Sequence, residues 1–178
     1  MLPAEVLALA ARLPVKPAAV TLTGDLVVMR PFVDADIAPL HAVSNGEPVT
    51  LGSRSHGTYD PGEAIWKWMF GGPYHDAAAL GSSLAEFAAR PDVLTLTICE
   101  RETMHPVGVA SLMANLPAHL KLELGSIWYG PIAQGTGASR EATQLMCAHA
   151  FGLGYRRVEW KCDARNERSR RAALSYGF

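Results

Sequence analysis

The sequence carries almost no net charge: the formal value is −1 at pH 7, with a pI near 6.6. Even the arginine-rich stretch near its end contains Asp163 and Glu167. That leaves no electrostatic footprint for a phosphate backbone, so a nucleic-acid partner is not expected. Cysteine is scarce. Cys99, Cys147 and Cys162 are odd in number, far apart and set within apolar-patterned segments. They offer neither a disulfide framework nor a paired metal-ligand spacing, and they read as buried thiols of a cytoplasmic protein that holds no metal. Long hydrophobic runs are missing too. Met1 to Leu13 is apolar but short, carries Glu5 and Arg12, and is followed by Pro14 and Pro17. It is neither a membrane span nor, without a basic start, a signal peptide. There is no internal repeat, no low-complexity tract, no Gly-Lys-Ser/Thr ending of a mononucleotide loop and no three-glycine dinucleotide spacing.

What is present is enough for one core. The chain has 178 residues, 49% of them hydrophobic and 19% charged, which suits a single globular domain. Pro3 to Arg12 reads as an accessory helix and Pro14 to Ala18 as its linker, which divides the chain into residues 1–19 and a domain over 20–178. Val20 to Arg30, with Thr23-Gly24-Asp25 as turn chemistry, predicts a bent or hairpin first strand. Asp34 reads as the N-cap of a helix running to Asn45-Gly46, and further helices are expected over Pro61 to Phe70 and Asp76 to Ala89. Val93 to Cys99 and Val107 to Met113 predict an antiparallel hairpin about a charged turn.

The segment from Leu120 to Cys162 has the pattern strand, helix, strand. Leu120, Leu122 and Leu124 alternate with Lys121 and Glu123, and Ile127-Trp128-Tyr129 continues the strand. Ala142, Leu145, Met146, His149, Ala150 and Leu153 then share one helical face ahead of Gly154, and Val158, Trp160 and Cys162 alternate on the returning strand. A right-handed crossover with the two strands parallel or splayed is expected. Between the first strand and the helix stands Gln134-Gly135-Thr136-Gly137-Ala138-Ser139. Small residues let a diphosphate approach the backbone, and the first amides of a helix lack internal partners, so the loop suits phosphate binding without a basic side chain. A tight strand-to-helix turn with no ligand is the equally weighted alternative.

This order of elements resembles the GNAT N-acetyltransferase superfamily, and within it the RimJ/RimL-like branch. The resemblance is carried by Gln134 to Ala138, by Arg156-Arg157-Val158-Glu159, and by Asn166-Glu167-Arg168-Ser169 leading to Gly177-Phe178; Leu26 to Pro31 with Asp36 adds to it. It covers Thr21 to Phe178. It implies an α/β fold: a central, mostly antiparallel twisted sheet with splayed strands, flanked by helices. It also implies acetyl-CoA as donor, with the pyrophosphate on the amides of Gly135, Thr136, Gly137, Ala138 and Ser139 next to Gln134. The pantetheine would run along Ile127, Trp128 and Tyr129, where splayed strands expose backbone groups that it can pair with. Asn166 matches a position that contacts the pantetheine arm, and Ser169 lies one turn on, near the thiol; Asn166 is equally placed to cap the last helix.

Transfer to an amine needs a neutral amine, a polarised carbonyl and a proton for the leaving thiolate. On the resemblance, Glu123 is the candidate for the first, directly or through a water, against the alternative of an exposed strand carboxylate. Amides near Ile127 and Trp128 would serve the carbonyl. The tyrosine that many family members place in the last helix is replaced by Ala173, and Tyr176 is expected to face elsewhere, so Ser169 or a water it holds is the substitute proton donor. The family normally adds two more strands after the position of Phe178, so the sheet is expected to lack its last two strands; a chain that continues further, or another chain on the open edge such as a second copy in a homodimer, would complete it. His56 and His75 fall in connections on the acceptor side. Trp66 and Trp68 either line an acceptor pocket or pack on the sheet, and Arg165, Arg168, Arg170 and Arg171 either meet the 3′-phosphate of the donor or form a solvated face. The acceptor itself is not readable.

Overall fold

The structure, a computed structural model, describes residues 3–178. Helix α1 (Ala4–Ala10) precedes the hairpin β1 (Leu22–Thr23) and β2 (Val27–Pro31). A 3-10 turn at Asp34–Asp36 leads into α2 (Ile37–Ala42), followed by a small hairpin, β3 (Val49–Leu51) and β4 (Arg54–His56), then α3 (Pro61–Ala64) and a 3-10 turn at Trp66–Trp68. Next come α4 (Ala77–Ala88), β5 (Leu94–Glu100), β6 (Pro106–Leu116), β7 (Lys121–Tyr129), α5 (Ala138–Leu153), β8 (Arg157–Trp160) and α6 (Glu167–Tyr176). Six strands form one sheet in the order β1-β2-β5-β6-β7-β8, antiparallel throughout except for the parallel pair β7 and β8. This is the mixed α/β architecture expected.

β5 and β6 are buried on both faces, which is why Leu-Thr-Leu-Thr-Ile-Cys reads as an unbroken β-rich run. On one face Leu96, Leu112, Leu122 and Leu124 pack against Ala142, Met146 and Ala150 of α5, with Leu13 in the same core. On the other, Val109 and Trp128 meet Leu40 of α2, Leu80 and Leu84 of α4, and Trp66. Each fully buried leucine contributes about 2 kcal/mol of transfer free energy.

Four local expectations are corrected. Asp34 does not cap α2; Asp36, only 1% exposed, accepts the Val33 amide at 3.1 Å, Thr97 Oγ1 at 2.7 Å and the Arg30 guanidinium at 2.8 and 2.6 Å. Helix 61–70 breaks at Ile65, because the indole of Trp66 turns inward beneath Trp128 and donates to the Ser44 carbonyl at 3.2 Å. The β3–β4 hairpin stands where only a connection was expected. Its signal is Gly52-Ser53 between two short runs, with Gly52 at φ +56°. Finally, residues 14–16 are stitched down: Asn115 Nδ2 and the Tyr155 hydroxyl both donate to the Pro14 carbonyl, at 2.9 and 3.0 Å, and Lys16 Nζ donates to the Ala88 carbonyl at 2.8 Å.

Candidate active site

Strands β7 and β8 pair over four residues only, from Lys121 opposite Arg157 to Leu124 opposite Trp160, and then separate. At that point β7 leaves its regular ladder with β6. Gly125 lies opposite Ser111 and Trp128 opposite Val109, so Ser126 and Ile127 together face the single residue Ala110, and Ser126 takes φ +50°. Two residues against one is a β-bulge, which breaks the ladder at Ser126 and Ile127 and bends the strand. Tyr129 is half-buried at the end of β7, and burial pushes its phenol well above the ordinary value.

The strand passes through Gly130 and the turn at Pro131–Ala133 into the glycine loop. Gly135 and Gly137 sit at φ +76° and +89°, a conformation that other residues adopt only with strain, so both glycines are required by the backbone. A Cβ on Gly137 would also press on Leu26 Cδ1 at 3.1 Å. Gly135, Thr136 and Gly137 are exposed, and the Thr136 hydroxyl folds back to the Ala133 carbonyl at 2.7 Å. Among the described residues, the amides of Gly135, Thr136, Gly137, Ser139 and Arg140 donate to no other backbone group. These donors, on a loop that opens the 16-residue α5, form an anion cradle. The residues present therefore fit a diphosphate.

The two glycines, Thr136 and the start of α5 are thus brought together as expected. Gln134 is instead a brace. Its Nε2 donates to the Tyr129 carbonyl at 2.9 Å and the Ala64 carbonyl at 3.3 Å, and its Oε1 accepts from Arg168. Asn166 caps α6, its Oδ1 accepting the Ser169 amide at 3.1 Å, which leaves its NH2 group unused by the cap. Ser169 Oγ accepts the Trp160 indole N–H at 2.9 Å, so its own O–H remains a donor. Glu123 is not an exposed strand carboxylate: it is 8% exposed and accepts the Lys161 ammonium at 2.5 Å on Oε2. Ile127 lies in the bulge, and Trp128 returns to the ladder with its ring in the second core.

Tyr176 does face the site. Its hydroxyl is 2.8 Å from Ser139 Oγ, the Arg140 guanidinium lies 5.1 Å from its ring centre, and Trp160 meets it edge-on. The reason is that α6 packs on the opening turn of α5, with Arg140 also donating to the Ser175 carbonyl at 2.9 Å. The four arginines near the end of the chain are each engaged within the fold. Arg165 pairs with Asp163 and lies over Trp68, Arg168 meets Gln134, Arg170 donates to the Ala164 carbonyl and Arg171 pairs with Glu167. His56 lies on β4 against Tyr59, and His75 is exposed beside Asp76. No group of three or more His, Cys, Asp or Glu side chains is arranged to hold a metal among the described residues.

The fold has close structural relatives. A GCN5-related N-acetyltransferase from Brucella melitensis superposes with a TM-score of 0.80 at 29% identity, over 92% of this chain and 69% of that one. A probable acetyltransferase of the GNAT family from Chromobacterium violaceum gives 0.77 at 27% identity, over 92% and 75%. An acetyltransferase from Salmonella typhimurium that modifies the N-terminal serine of a 50S ribosomal subunit protein shares the fold, with a TM-score of 0.69 at 17% identity over 89% and 84% of the two chains. No curated protein matches. The family model of the acetyltransferase (GNAT) domain matches residues 27–178; with the anion cradle beside splayed strands, it follows that the chain belongs to the GNAT acetyltransferase family.

Proposed function

We propose that the protein transfers the acetyl group of acetyl-CoA to a primary amine, by direct attack within a ternary complex and without a covalent enzyme intermediate. The observation that carries this reading is the adjacency of two features: amide donors at the head of α5, and the bulge at Ser126 and Ile127 where β7 leaves β8. The cradle would hold the pyrophosphate, and the unladdered strand would pair with the pantetheine amides. Asn166 would hold the arm with its free NH2, and the Ile127 amide would polarise the thioester oxygen. Glu123 would take the proton of the amine once Lys161 moves aside, and Ser169, or a water it holds, would relay a proton from solvent to the thiolate. Cys99 and Cys147 are unsuited to be nucleophiles, since burial pushes both thiols up. Of the three thiols expected to be buried, only Cys99 is fully so; Cys147 is half-buried and Cys162 exposed.

The acceptor is a protein N-terminus or a small-molecule amine, as in the RimJ/RimL-like branch, and the site of action is the cytoplasm. The N-terminal serine acetylated by the Salmonella relative motivates the inclusion of N-terminal peptides in an acceptor panel. Pairing of two copies along the outer edge of β8, the edge strand of the sheet, would join their sheets, and sedimentation over a range of concentrations tests it.

Calorimetric titration with acetyl-CoA tests the donor site: one-to-one binding that Gly137→Val weakens at least tenfold supports it, and no binding by the folded chain sinks it. The engagement of Glu123 by Lys161 favours one second reading, a module that binds acyl-CoA without turnover. Release of free CoA with no amine above the hydrolysis background, while binding persists, would establish that module instead.

A further inference from the structure

The chain has only four lysines: Lys16, Lys67, Lys121 and Lys161. Lys161 differs from the others in where it stands. It follows Trp160, whose partner Leu124 ends the parallel ladder, so it sits level with Gly125 where β7 and β8 begin to part. Side chains alternate along strands, which puts Lys121, Glu123, Glu159 and Lys161 on one face of the sheet. Lys161 Nζ lies 2.5 Å from Glu123 Oε2 and 3.3 Å from Glu159 Oε2, with its side chain 61% exposed. Glu159 is shared with Lys121 and Arg157, each at 3.0 Å, whereas among the described residues the buried Glu123 pairs with Lys161 alone. Gly125 lets this pair and the Met113 side chain come close to the strand, for a Cβ there would stand 2.5 Å from Met113 Sδ and 3.1 Å from Glu123 Oε1.

An accessible primary amine in contact with a buried carboxylate, at the mouth of the splayed strands, is the pair of groups that amine acetylation requires. Resting on the donor site proposed above, we propose that Lys161 is a site of self-acetylation. The ammonium first releases one proton to solvent. Neutral Nζ then attacks the thioester carbonyl: the N–C bond forms, the C–S bond breaks, and a second proton passes from nitrogen through Glu123 to the departing thiolate, giving the amide and free CoA thiol. The amide is neutral and cannot form an ion pair with the carboxylate, so modification releases Glu123 from the Lys161 ammonium. The Glu123 carboxylate, with Glu159 beside it, holds the Lys161 ammonium above its ordinary value, against desolvation. The reaction therefore speeds up as pH rises.

The test incubates the full chain with acetyl-CoA alone and maps acetyl groups on the four lysines by mass spectrometry. Lys161 should label at least about tenfold faster than Lys67, which is also carboxylate-bound, at 2.7 Å to Glu63, but lies outside the site. The rate should be independent of protein concentration, and Glu123→Gln should slow it by about a hundredfold. Lys161→Arg, which keeps the charge, should lose the label while retaining acetyl-CoA binding. Equal labelling of Lys161 and Lys67, or a rate that rises with protein concentration, overturns the inference. Transfer to added amines without label on Lys161 overturns this inference alone, whereas absence of acetyl-CoA binding removes the donor site and the inference together.

Discussion

Gly137 is where sequence and backbone agree most closely, since a positive φ is a demand that a glycine announces in advance. Gly137→Ala should cost about 1 kcal/mol of stability and also weaken acetyl-CoA binding, a combination that thermal melts with and without ligand will show. Asp36 is the opposite case. Its partners Arg30, Val33 and Thr97 converge from β2 and β5 as well as from its own turn, so no local pattern reveals it. Burial alone would raise the Asp36 carboxyl, but the hydrogen bonds from Arg30, Thr97 and the Val33 amide outweigh it and hold the group below its ordinary value. The native state thus favours the ionised form. This contribution is complete above the ordinary carboxylate value and is lost as pH falls through the lowered native one. Asp36→Asn should cost about 3 kcal/mol near neutrality and flatten the acid limb of stability, as urea midpoints against pH will reveal. Direct attack makes its own demand on residues: Cys147→Ala should leave turnover nearly intact, and complete loss in a folded variant would sink that mechanism. Glu123 was legible as a candidate, but not its burial nor its ion pair, because Lys161 lies 38 residues away in sequence.

At the scale of elements, long periodic segments were readable: α4, α5, β5, β6 and β7 all fall where spacing placed them. The three-residue strands β3 and β4 are too short for alternation to register, and they are held by distant contacts, Arg54 donating to the Ile132 carbonyl at 3.0 Å and pairing with Glu100. The orientation of α6 was also hidden, because its short sequence does not say which turn of α5 it covers. One clamp between elements deserves a test of its own. The Glu141 carboxylate accepts the amides of Asp25, Leu26 and Val27 at 2.8, 2.7 and 2.8 Å, fastening the β1–β2 turn to the first turn of α5. Glu141→Ala should cost about 2 kcal/mol and accelerate hydrogen exchange at those three amides. Gly24→Ala, whose Cβ would stand 2.4 Å from the same carboxylate, should act alike.

For the whole molecule, the family match begins at residue 27, yet the core does not. Leu13 is buried, and the Pro14 carbonyl takes hydrogen bonds from both Asn115 on β6 and Tyr155 ahead of β8. A chain starting at residue 20 should therefore lose several kcal/mol relative to the full chain, which denaturant midpoints will measure. Aromatic placement has a consequence of another kind. Trp66 and Trp128 are sealed in the second core, while Trp160 is half-buried between Ser169 and Tyr176, close to the cradle. Trp160 is thereby a native optical probe, with the half-buried Trp68 beneath Arg165 as background: if the proposed donor site fills, light emitted by Trp160 should change in colour or intensity, and Trp160→Phe should abolish the change.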